Sequence, residues 1–531
     1  MVLPSLSAIT SALLVPTHWI GGSTITYSVA RAGSAWPDYG PGEESSDPAY
    51  SVLNATQAQR FAAAADAWDK VMAATFVQTD DVSAPGAIRV AFTDVSGDEG
   101  EDTWGYAYYP PYAGGAGAAY MSDIWISAEH TGSDFAAGRY DFSAMIHEIG
   151  HAIGLKHSFE DGATLPAEFD TTRYTVMSYT APEDLLFWRA EATATGVRIV
   201  PQSVYPETPM VFDIAAIQQR YGADPTTASG NTTYSWDENR PFFQSIYDAG
   251  GVDTFDLSGN LRGSSVDLAP GAYSSIAYFS AAEQIAQLLV RFPWAGDFFQ
   301  ENIATPETYT FSDNLGIAFN TVIENVVGGP DADTVLGNAA ENQIWGGGGL
   351  DFLRGMDGND QLWGGAAFDD VHGNAGDDTV RGEDGADWVV GGKDQDLLYG
   401  DAGGDIVYGN LGNDTCEGGA GDDLVRGGKD NDTLSGGDGN DWLSGDRGDD
   451  TLAGGAGADI FHSSGDAGLD RILDFNSAEG DRLLLDPGTT YALRYEGGDT
   501  ILDLAWTGQP TAGQIVLVGV TATNPGDWLI A

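Results

Sequence analysis

Three histidines and a glutamate fall within eleven residues of this chain, in the pattern H-E-x-x-H-x-x-G-x-x-H. His147 and His151 are four positions apart, so on a helix they lie on one face, one turn from each other. Gly154 can adopt a left-handed conformation that turns the chain and brings His157 back as a third ligand. Glu148 is placed to act as a base on water at the metal. Three imidazoles with one open position predict a catalytic zinc site rather than a closed structural one.

The alternative interpretation of this window is a helix that carries polar residues by chance. The chain has only 7 histidines, and three of them fall here. Chance would also have to supply the glutamate and the turn glycine, so we favour the zinc site.

The segments around the motif alternate between strand and helix patterns. Apolar periodicity predicts strands over 25–29 and 88–92, and helices over 56–74, 141–154 and 209–221. The zinc motif lies on the second of these helices. Strands and helices mixed in this way predict an α+β domain.

Composition excludes several classes of function. The formal net charge is −57, from 22 basic and 79 acidic residues, which argues against nucleic acid or an anionic membrane surface as a partner. The single cysteine, Cys416, allows no intramolecular disulfide. We expect no Sec signal peptide, because no basic residue precedes Arg31, and no membrane span, because no apolar run is long enough.

From Gly328 to His462 the chain repeats the nonapeptide G-G-x-G-x-D-x-U-x fifteen times in unbroken phase, where U is a large apolar residue. A disordered Gly/Asp linker is the competing interpretation, but a linker has no reason to keep a hydrophobe at every ninth residue. The apolar position is occupied by Val335, Ile344, Leu353, Leu362, Val371, Val380, Val389, Leu398, Val407, Cys416, Val425, Leu434, Leu443, Leu452 and Phe461.

This period predicts an all-β parallel β-roll, in which short strands bury the apolar residue and glycine turns bind structural calcium ions through aspartate. The segment contains 29 acidic and 6 basic residues, a net charge of −23, so without calcium we expect it to be disordered. Position six is Asn342 in one unit. In the others it supplies the predicted calcium ligands Asp333, Asp351, Asp360, Asp369, Asp378, Asp387, Asp396, Asp405, Asp414, Asp423, Asp432, Asp441, Asp450 and Asp459.

The zinc motif, the downstream Thr175–Tyr179 segment and the segment Asp213–Gly222 together resemble the serralysin branch of the metzincin metallopeptidases. The resemblance implies that Met177 forms a structural turn beneath the zinc. It implies that Tyr179 is an additional, movable zinc ligand that helps to stabilise the transition state. The alternatives are a core methionine and a tyrosine that lines the pocket.

The same resemblance implies a secreted zinc endopeptidase with protein or peptide substrates. Glu148 would take a proton from the attacking water and later deliver it to the leaving amine. An extended substrate would pair with an edge strand near Tyr120–Ile126. The alternative from another class is a non-catalytic surface or adhesion protein with an inactive metalloprotease-like domain.

The nonapeptides resemble those of RTX proteins, which implies export by a type I secretion apparatus of a Gram-negative bacterium, with an uncleaved C-terminal signal. The protein would then act outside the cell as a monomer. The resemblance also implies a proteinaceous protease inhibitor as a further partner.

The junction before the repeats resembles linker strands of the same family, which implies calcium ligands at Asp248, Gly250, Asp253 and Glu324. Ordinary turn chemistry is the alternative there. Ala228 stands where the family has an arginine.

Two departures from the family concern its termini and its linker. The N-terminal segment is short for a propeptide, and residues 275–312 hold an extra apolar stretch that is an inserted helix or flap. The predicted division is an N-terminal segment or short propeptide (1–20), a metzincin catalytic domain (21–240), linker strands with the insertion (241–327), the roll (328–462) and a β cap with the secretion signal (463–531).

Overall fold

In a computed structural model, the chain divides into two compact units. The N-terminal unit comprises Met1–Asn231, Asn239–Gly251 and Pro270–Thr321, and the repeat unit comprises Thr232–Glu238, Val252–Ala269 and Val322–Ala531. The two units therefore interleave along the segment predicted as a linker, and the five-part division stays a prediction. The structure describes residues 3–19, 24–37, 39–41, 43–95, 103–110, 122–160, 162–463, 468–506, 513–521 and 524–530.

The N-terminal unit contains a five-stranded sheet in the order β2-β1-β3-β5-β4. Its strands are β1 (Thr24–Val29), β2 (Thr75–Gln78), β3 (Ile88–Thr93), β4 (Gly105–Ala107) and β5 (Ile124–Ser127). Only β4 runs antiparallel to its neighbour.

The prediction that the strand near Tyr120–Ile126 lies at the edge of the sheet is wrong. Strand β5 pairs with β3 on one side and with β4 on the other, so it is an interior strand. Among the described residues the edge on that side is β4. Tyr120 and Met121 lie outside the described residues.

The N-terminal unit also contains the helices α1 (Leu6–Leu13), α2 (Ala55–Asp69), α3 (Tyr140–Ala152) and α4 (Val211–Tyr221). Helices α2 and α3 pack on the sheet and on each other, and α1 packs on α4. Helices α2, α3 and α4 lie within three residues of their predicted starts. Helix α2 begins in a capping box between Asn54 and Gln57 and ends before its predicted limit of 74. The Trp68 indole of α2 donates to the Ile146 carbonyl of α3 at 3.0 Å, which fixes α2 against the motif helix.

The N-terminal segment forms part of the core. Ile9 and Leu13 of α1 are fully buried, and Leu14 forms an antiparallel bridge with Leu155. The Val15 amide donates to Gly154 and the Lys156 amide donates to Leu13. This segment therefore packs against the turn that follows α3.

The predicted insertion, residues 275–312, contributes two helices to a small lobe whose other part is a hairpin from earlier in the chain. Strands β6 (Leu186–Thr193) and β7 (Gly196–Ser203) form an antiparallel hairpin. Helices α5 (Ala281–Arg291) and α6 (Gly296–Ile303) pack on this hairpin around a separate apolar cluster that includes Phe299. The insertion is thus two helices, where the sequence left a helix and a flap as alternatives.

Shorter strands follow in both units. A three-stranded sheet of the N-terminal unit has the order β12-β13-β9, whereas β8, β10, β11 and β14 belong to the sheets of the repeat unit. These strands are β8 (Thr233–Tyr234), β9 (Gln244–Ile246), β10 (Thr254–Asp256), β11 (Ser265–Asp267), β12 (Tyr273–Ser274), β13 (Leu315–Ile317) and β14 (Asn325–Val327).

The repeat unit is the predicted parallel roll. Successive strands alternate between a 14-stranded and an 11-stranded sheet, and each strand pairs in parallel with the strand 18 residues away. The apolar residue of every nonapeptide is at most 3 % exposed, Cys416 included. The strands are β15 (Thr334–Leu336), β16 (Gln343–Gly348), β17 (Phe352–Asp357), β18 (Gln361–Ala366), β19 (Asp370–Ala375), β20 (Thr379–Asp384), β21 (Trp388–Lys393), β22 (Leu397–Ala402), β23 (Ile406–Leu411), β24 (Thr415–Ala420), β25 (Leu424–Lys429), β26 (Thr433–Asp438), β27 (Trp442–Arg447), β28 (Thr451–Ala456) and β29 (Ile460–Ser463).

Further strands continue both sheets beyond the last nonapeptide. They are β30 (Leu469–Ile472), β31 (Arg482–Leu485), β32 (Thr489–Glu496), β33 (Asp499–Trp506), β34 (Gln514–Leu517) and β35 (Leu529–Ile530). Within the described part of the chain, no helix has both the length and the apolar character that crossing a membrane requires.

Candidate metal centres

Helix α3 and the turn after it bring the three motif histidines together. His147 and His151 are 7 % and 6 % exposed on one face of the helix. Gly154 has a φ of +104°, in the left-handed region that favours glycine, and the Leu155 amide donates back to Gly150. The chain reverses there, and His157 reaches the other two rings, as the motif predicted.

The Nε2 atoms of the three histidines converge on one point. His157 Nε2 lies 3.2 Å from His147 Nε2 and 3.1 Å from His151 Nε2. Two imidazole nitrogens bound to one zinc ion at a tetrahedral angle are about 3.3 Å apart. The observed separations therefore fit a zinc ion at this point.

Hydrogen bonds at the opposite ring nitrogens fix the tautomers. His147 Nδ1 donates to the Val176 carbonyl at 2.7 Å, and His151 Nδ1 donates to the Leu155 carbonyl at 2.8 Å. His157 Nδ1 lies 2.5 Å from Glu160 Oε1. Because each Nδ1 carries the proton, each Nε2 presents a lone pair to the common point. Three lone pairs so close together repel one another unless a cation lies between them.

Burial keeps the rings of His147 and His151 neutral. It lowers the pKa of His147 to about 4, with a further decrease from His157, and it lowers the pKa of His151 well below its usual value. Neutral imidazole is the form that binds a metal, so both ligands are ready for one at neutral pH. Within the described residues, the ligand atoms of these three histidines all lie within 4.8 Å of one another, close enough to hold one ion.

Glu148 lies beside His147 on α3 and is only 6 % exposed. Burial raises the pKa of Tyr109, with further increases from Glu160 and, last, from Glu148. Burial also raises the pKa of Tyr140, with smaller contributions from Tyr205 and Glu148. The predicted base therefore lies in the largely buried environment of the histidine rings.

Met177 and Tyr179 both reach the centre, on different sides. Met177 is fully buried, and its Sδ atom lies 2.8 Å from where a Cβ of Gly150 would be, so it packs directly on α3. Tyr179 is 66 % exposed, and its hydroxyl lies 2.7 Å from His157 Nε2. Its ring stacks on His147 with centroids 5.6 Å apart. The methionine underlies the site, and the tyrosine borders its open side.

Two residues that support the ligands were not assigned from the sequence. Asp213 is fully buried on α4 and accepts hydrogen bonds from the Val176 amide and the Met210 amide at 2.8 Å, and from the Thr175 hydroxyl. Glu160 holds His157 Nδ1. Asp213 lies within the segment that resembles the family, and Glu160 lies three residues after His157. Their spacing in the sequence did not predict which groups they bind.

The position-six aspartates of the repeats form a regular buried ladder. Their backbone amides donate to Oδ1 of the aspartate 18 residues later, for example Asp378 to Asp396 at 2.9 Å. Asp333 differs, since its Oδ2 accepts from the Gly329 amide at 2.8 Å. The other Oδ2 atoms are buried and have no hydrogen-bond partner, namely those of Asp351, Asp360, Asp369, Asp378, Asp387, Asp396, Asp405, Asp414, Asp423, Asp432, Asp441, Asp450 and Asp459.

Buried carboxylate oxygens without donors are costly unless a cation compensates them. Burial, opposed by one backbone hydrogen bond and reinforced by neighbouring aspartates, raises the pKa of Asp396 to about 8 and of Asp369 to about 7. These carboxyl groups resist ionisation when no cation is beside them. A row of such hard oxygen ligands fits calcium.

The predicted linker ligands are divided between the units. In the N-terminal unit, the Gly250 amide donates to Asp248 Oδ1 at 2.9 Å, and Asp248 is 1 % exposed. In the repeat unit, the Asp253 amide donates to Glu324 Oε2 at 2.7 Å. Ala228 has a φ of +50°, so the residue that replaces the family arginine has a left-handed backbone. A calcium role for these four residues stays a prediction.

Comparison with known proteins agrees with both centres. The model of the matrixin family matches residues 45–180, and that of the RTX calcium-binding nonapeptide repeat matches overlapping segments between 327 and 472. The chain is 31 % identical over 264 residues to Serralysin C of Dickeya chrysanthemi, covering 46 % of this chain and 52 % of that protein.

Other relatives give similar values. Identity is 29 % over 249 residues with Serralysin of Proteus mirabilis (43 % of this chain and 41 % of that protein). It is 28 % over 318 residues with Metallopeptidase AprA of Pseudomonas marginalis (56 % and 57 %). The chain spans about half the length of the relatives it matches.

Proposed function

Because the chain joins a matrixin domain to RTX calcium-binding repeats, we propose that it is a secreted zinc endopeptidase stabilised by calcium. The observation that carries this proposal is the convergence of three histidine Nε2 atoms beside Glu148. His147, His151 and His157 would hold the ion, which when bound acts as a Lewis acid on a carbonyl and makes water more acidic.

Glu148 provides the proton transfers of peptide hydrolysis. Its carboxylate accepts a proton from the attacking water and then delivers it to the amine that leaves. Its burial beside His147 keeps bulk water away from both proton transfers.

Tyr179 supplies a hydrogen bond at the open side of the centre. Its hydroxyl is near His157 Nε2 and its side chain is largely exposed, so a substrate carbonyl can displace it without breaking a core contact. The phenol then donates to the carbonyl oxygen as negative charge develops there. This role agrees with a movable ligand that leaves and returns.

Substrate binding is proposed at β4 rather than at the strand expected from the sequence. Strand β4 is the outer strand of its sheet and has one side free of strand partners among the described residues. An extended peptide can add to such an edge through backbone hydrogen bonds.

The proposal includes export. The ladder of buried aspartates supports folding outside the cell, where the calcium that would compensate their charge is plentiful. A type I secretion apparatus and a proteinaceous inhibitor are proposed on the family resemblance alone. The complete set of three histidines and Glu148 favours catalysis over a non-catalytic adhesion protein.

The test is a casein zymogram of the purified chain with calcium present. We expect a clearing band that a zinc-selective chelator removes and added zinc restores. The Glu148→Ala variant should show no band while retaining zinc. Full proteolysis by that variant would refute the mechanism, and no proteolysis by the intact zinc-loaded chain would favour the adhesion alternative.

A further inference from the structure

The outer face of the 11-stranded sheet carries a long groove within the repeat unit. Residues from six consecutive strands of that sheet line it, from β17 to β27, and its volume is about 980 Å³. Neighbouring strands are about 4.8 Å apart, so the groove extends about 24 Å across them. Its lining excludes the position-six aspartates that face the interior.

Aromatic rings form one side of this groove. Trp388 is 45 % exposed, and Trp442 and Tyr408 also line the groove. Neighbouring histidines hold both tryptophan rings in place. His372 packs edge-on against Trp388, and His462 stacks on Trp442 with centroids 5.1 Å apart. An exposed, pre-organised aromatic surface of this size is typical of a ligand site.

Cations form the opposite side. One row of successive partners in the strand register contains Asp357, Ala375, Lys393, Leu411, Lys429 and Arg447. Asp357 and Lys393 line the groove itself, and Lys429 and Arg447 line the recess beside it, so three of the four charged residues in the row are cations. The two lysines are two strands apart, about 10 Å. Within the described part of the chain neither lysine forms an ion pair. Of the six basic residues between 328 and 462, all but Arg381 belong to strands of this sheet.

This concentration of positive charge is unexpected in a segment with a net charge of −23. A second recess of about 410 Å³ adjoins the groove and is lined by Arg426, Lys429 and Arg447, among others. Arg426 is paired with Asp446, so the charge available to a ligand resides mainly on the row of lysines. Charge complementarity therefore indicates an anionic ligand.

The backbone of the strands that form this face is already hydrogen-bonded to neighbouring strands. The strands from β19 to β25 each pair with a neighbour on both sides, so they offer no free edge to an added peptide strand. A ligand must be recognised by ring faces, by the amides of Asn374 and Asn410 and by ammonium groups. Pyranose rings suit these contacts, since each has an apolar C–H face and a rim of hydroxyls.

We propose that this groove and the recess beside it bind a linear acidic polysaccharide, with sugar rings stacked on Trp388 and Trp442 and carboxylates against Lys393 in the groove and Lys429 in the recess. The site is independent of the zinc centre. It would hold the protein on a matrix or surface rich in uronic acids.

The test is a calorimetric titration of the full-length, calcium-loaded chain with hexasaccharides. The probes are oligogalacturonate, oligomannuronate and a hyaluronan fragment, with neutral cellohexaose and hexaglutamate for comparison. We expect at least one acidic glycan to bind, and cellohexaose and hexaglutamate to bind at least tenfold more weakly. Added salt should weaken the binding of the acidic glycan, because salt screens exposed ionic contacts.

Matched variants locate the site. Trp388→Ala should raise the Kd at least about tenfold, whereas Trp363→Ala should leave it unchanged. Trp363 is the control because it stacks on Trp345 in the other sheet of the roll. The double variant Lys393→Gln/Lys429→Gln should weaken binding and remove most of its salt dependence. Unchanged calcium-dependent circular dichroism would show that each variant is folded.

Three results would overturn the proposal. The first is that no acidic glycan binds. The second is that Trp388→Ala and Trp363→Ala have equal effects. The third is that hexaglutamate binds as tightly as the best glycan, which would indicate an acidic peptide instead.

Discussion

The carboxylate of Asp213 and the imidazole of His147 are connected through the backbone of a single residue, Val176. Asp213 Oδ2 accepts from the Val176 amide at 2.8 Å, and the Val176 carbonyl accepts from His147 Nδ1 at 2.7 Å. Helix α4 thus orients a ligand on α3 without touching it.

Replacing Asp213 with Asn should weaken zinc binding. The amide NH₂ would face backbone donors, so the Val176 peptide would shift and release His147. We expect about 10- to 100-fold lower zinc affinity and a loss of about 1–3 kcal/mol in the free energy of unfolding. Competition with a zinc chelator measures the first effect, and urea unfolding measures the second. Asp297→Asn, at an exposed position on α6, is the control and should change neither.

Glu160 should act on zinc affinity through His157. Removing its carboxylate in Glu160→Ala leaves His157 Nδ1 without the acceptor at 2.5 Å, and we expect about tenfold weaker zinc binding. Glu160→Gln keeps an acceptor oxygen and should lose less. Equal losses in Glu168→Ala, which alters an exposed glutamate nearby, would rule out this specific role.

Tyr179→Phe separates the two roles predicted for the phenol. The ring remains, but the hydroxyl that lies 2.7 Å from His157 Nε2 is lost. If the hydroxyl acts in the transition state, kcat should fall by about 100-fold while KM stays the same. Zinc content should not change. A tenfold loss of zinc affinity with normal kcat in the zinc-saturated variant would show a ligand role instead.

The calcium requirement of the roll should depend on pH. Burial raises the pKa of Asp396 and of Asp432 to about 8 in the calcium-free fold, well above the unfolded value of 3.8. The folded state therefore binds more protons than the unfolded chain, and its calcium-free stability falls as pH rises from about 4 through 8. Protonation of these carboxyls takes the place of calcium in the fold, so the calcium concentration that half-folds the roll should decrease as pH falls from 8.5 to about 6, whereas the affinity of the folded roll for calcium should also decrease, because calcium must displace those protons.

Far-UV circular dichroism during calcium titrations at several pH values checks this expectation. Asp396→Asn removes one ionisable group, so it should make the calcium-free roll more stable and weaken calcium binding. Glu417→Gln removes an exposed carboxylate from the outer surface and should change neither. A calcium midpoint that does not vary with pH would contradict the role of these buried aspartates.

The lobe of α5 and α6 should unfold without the zinc centre. Phe299 is fully buried in the lobe's own cluster, and Phe→Ala substitutions in such cores cost about 3–5 kcal/mol. Phe299→Ala should make residues 281–303 sensitive to trypsin at Arg291 while zinc content stays normal. Val290→Ala, at a position that is 87 % exposed, should resist trypsin like the unchanged chain.

Local patterns were sufficient for the motif helix and for the roll. The spacing of His147 and His151 fixes their shared face, and Gly154 alone accounts for the reversal that returns His157. The repeat phase predicted every buried apolar position, because an 18-residue turn repeats the same environment. Such features depend on neighbours within a few residues or on an exact period.

Contacts between distant segments could not be predicted in this way. Asp213 meets Val176 across 37 residues, and no spacing rule connects them. The sheet edge was misplaced because β4 has only three residues and shows no alternation of its own. For α5 a local signal did exist, since Ser280 and Glu283 form a capping box before an amphipathic run, and it was not used.

The aspartate ladder gives the roll a direction. Each position-six amide donates to a carboxylate further along the chain, and the last two, Asp450 and Asp459, reach Asp470 and Asp481 beyond the repeats. Every coil is therefore completed by its successor, and the series ends in residues that belong to no nonapeptide. The hydrogen-bond series of the roll therefore ends at a defined C-terminal boundary, formed by Asp470 and Asp481. Loss of the segment after the repeats would therefore leave the amides of Asp450 and Asp459 without their carboxylate acceptors.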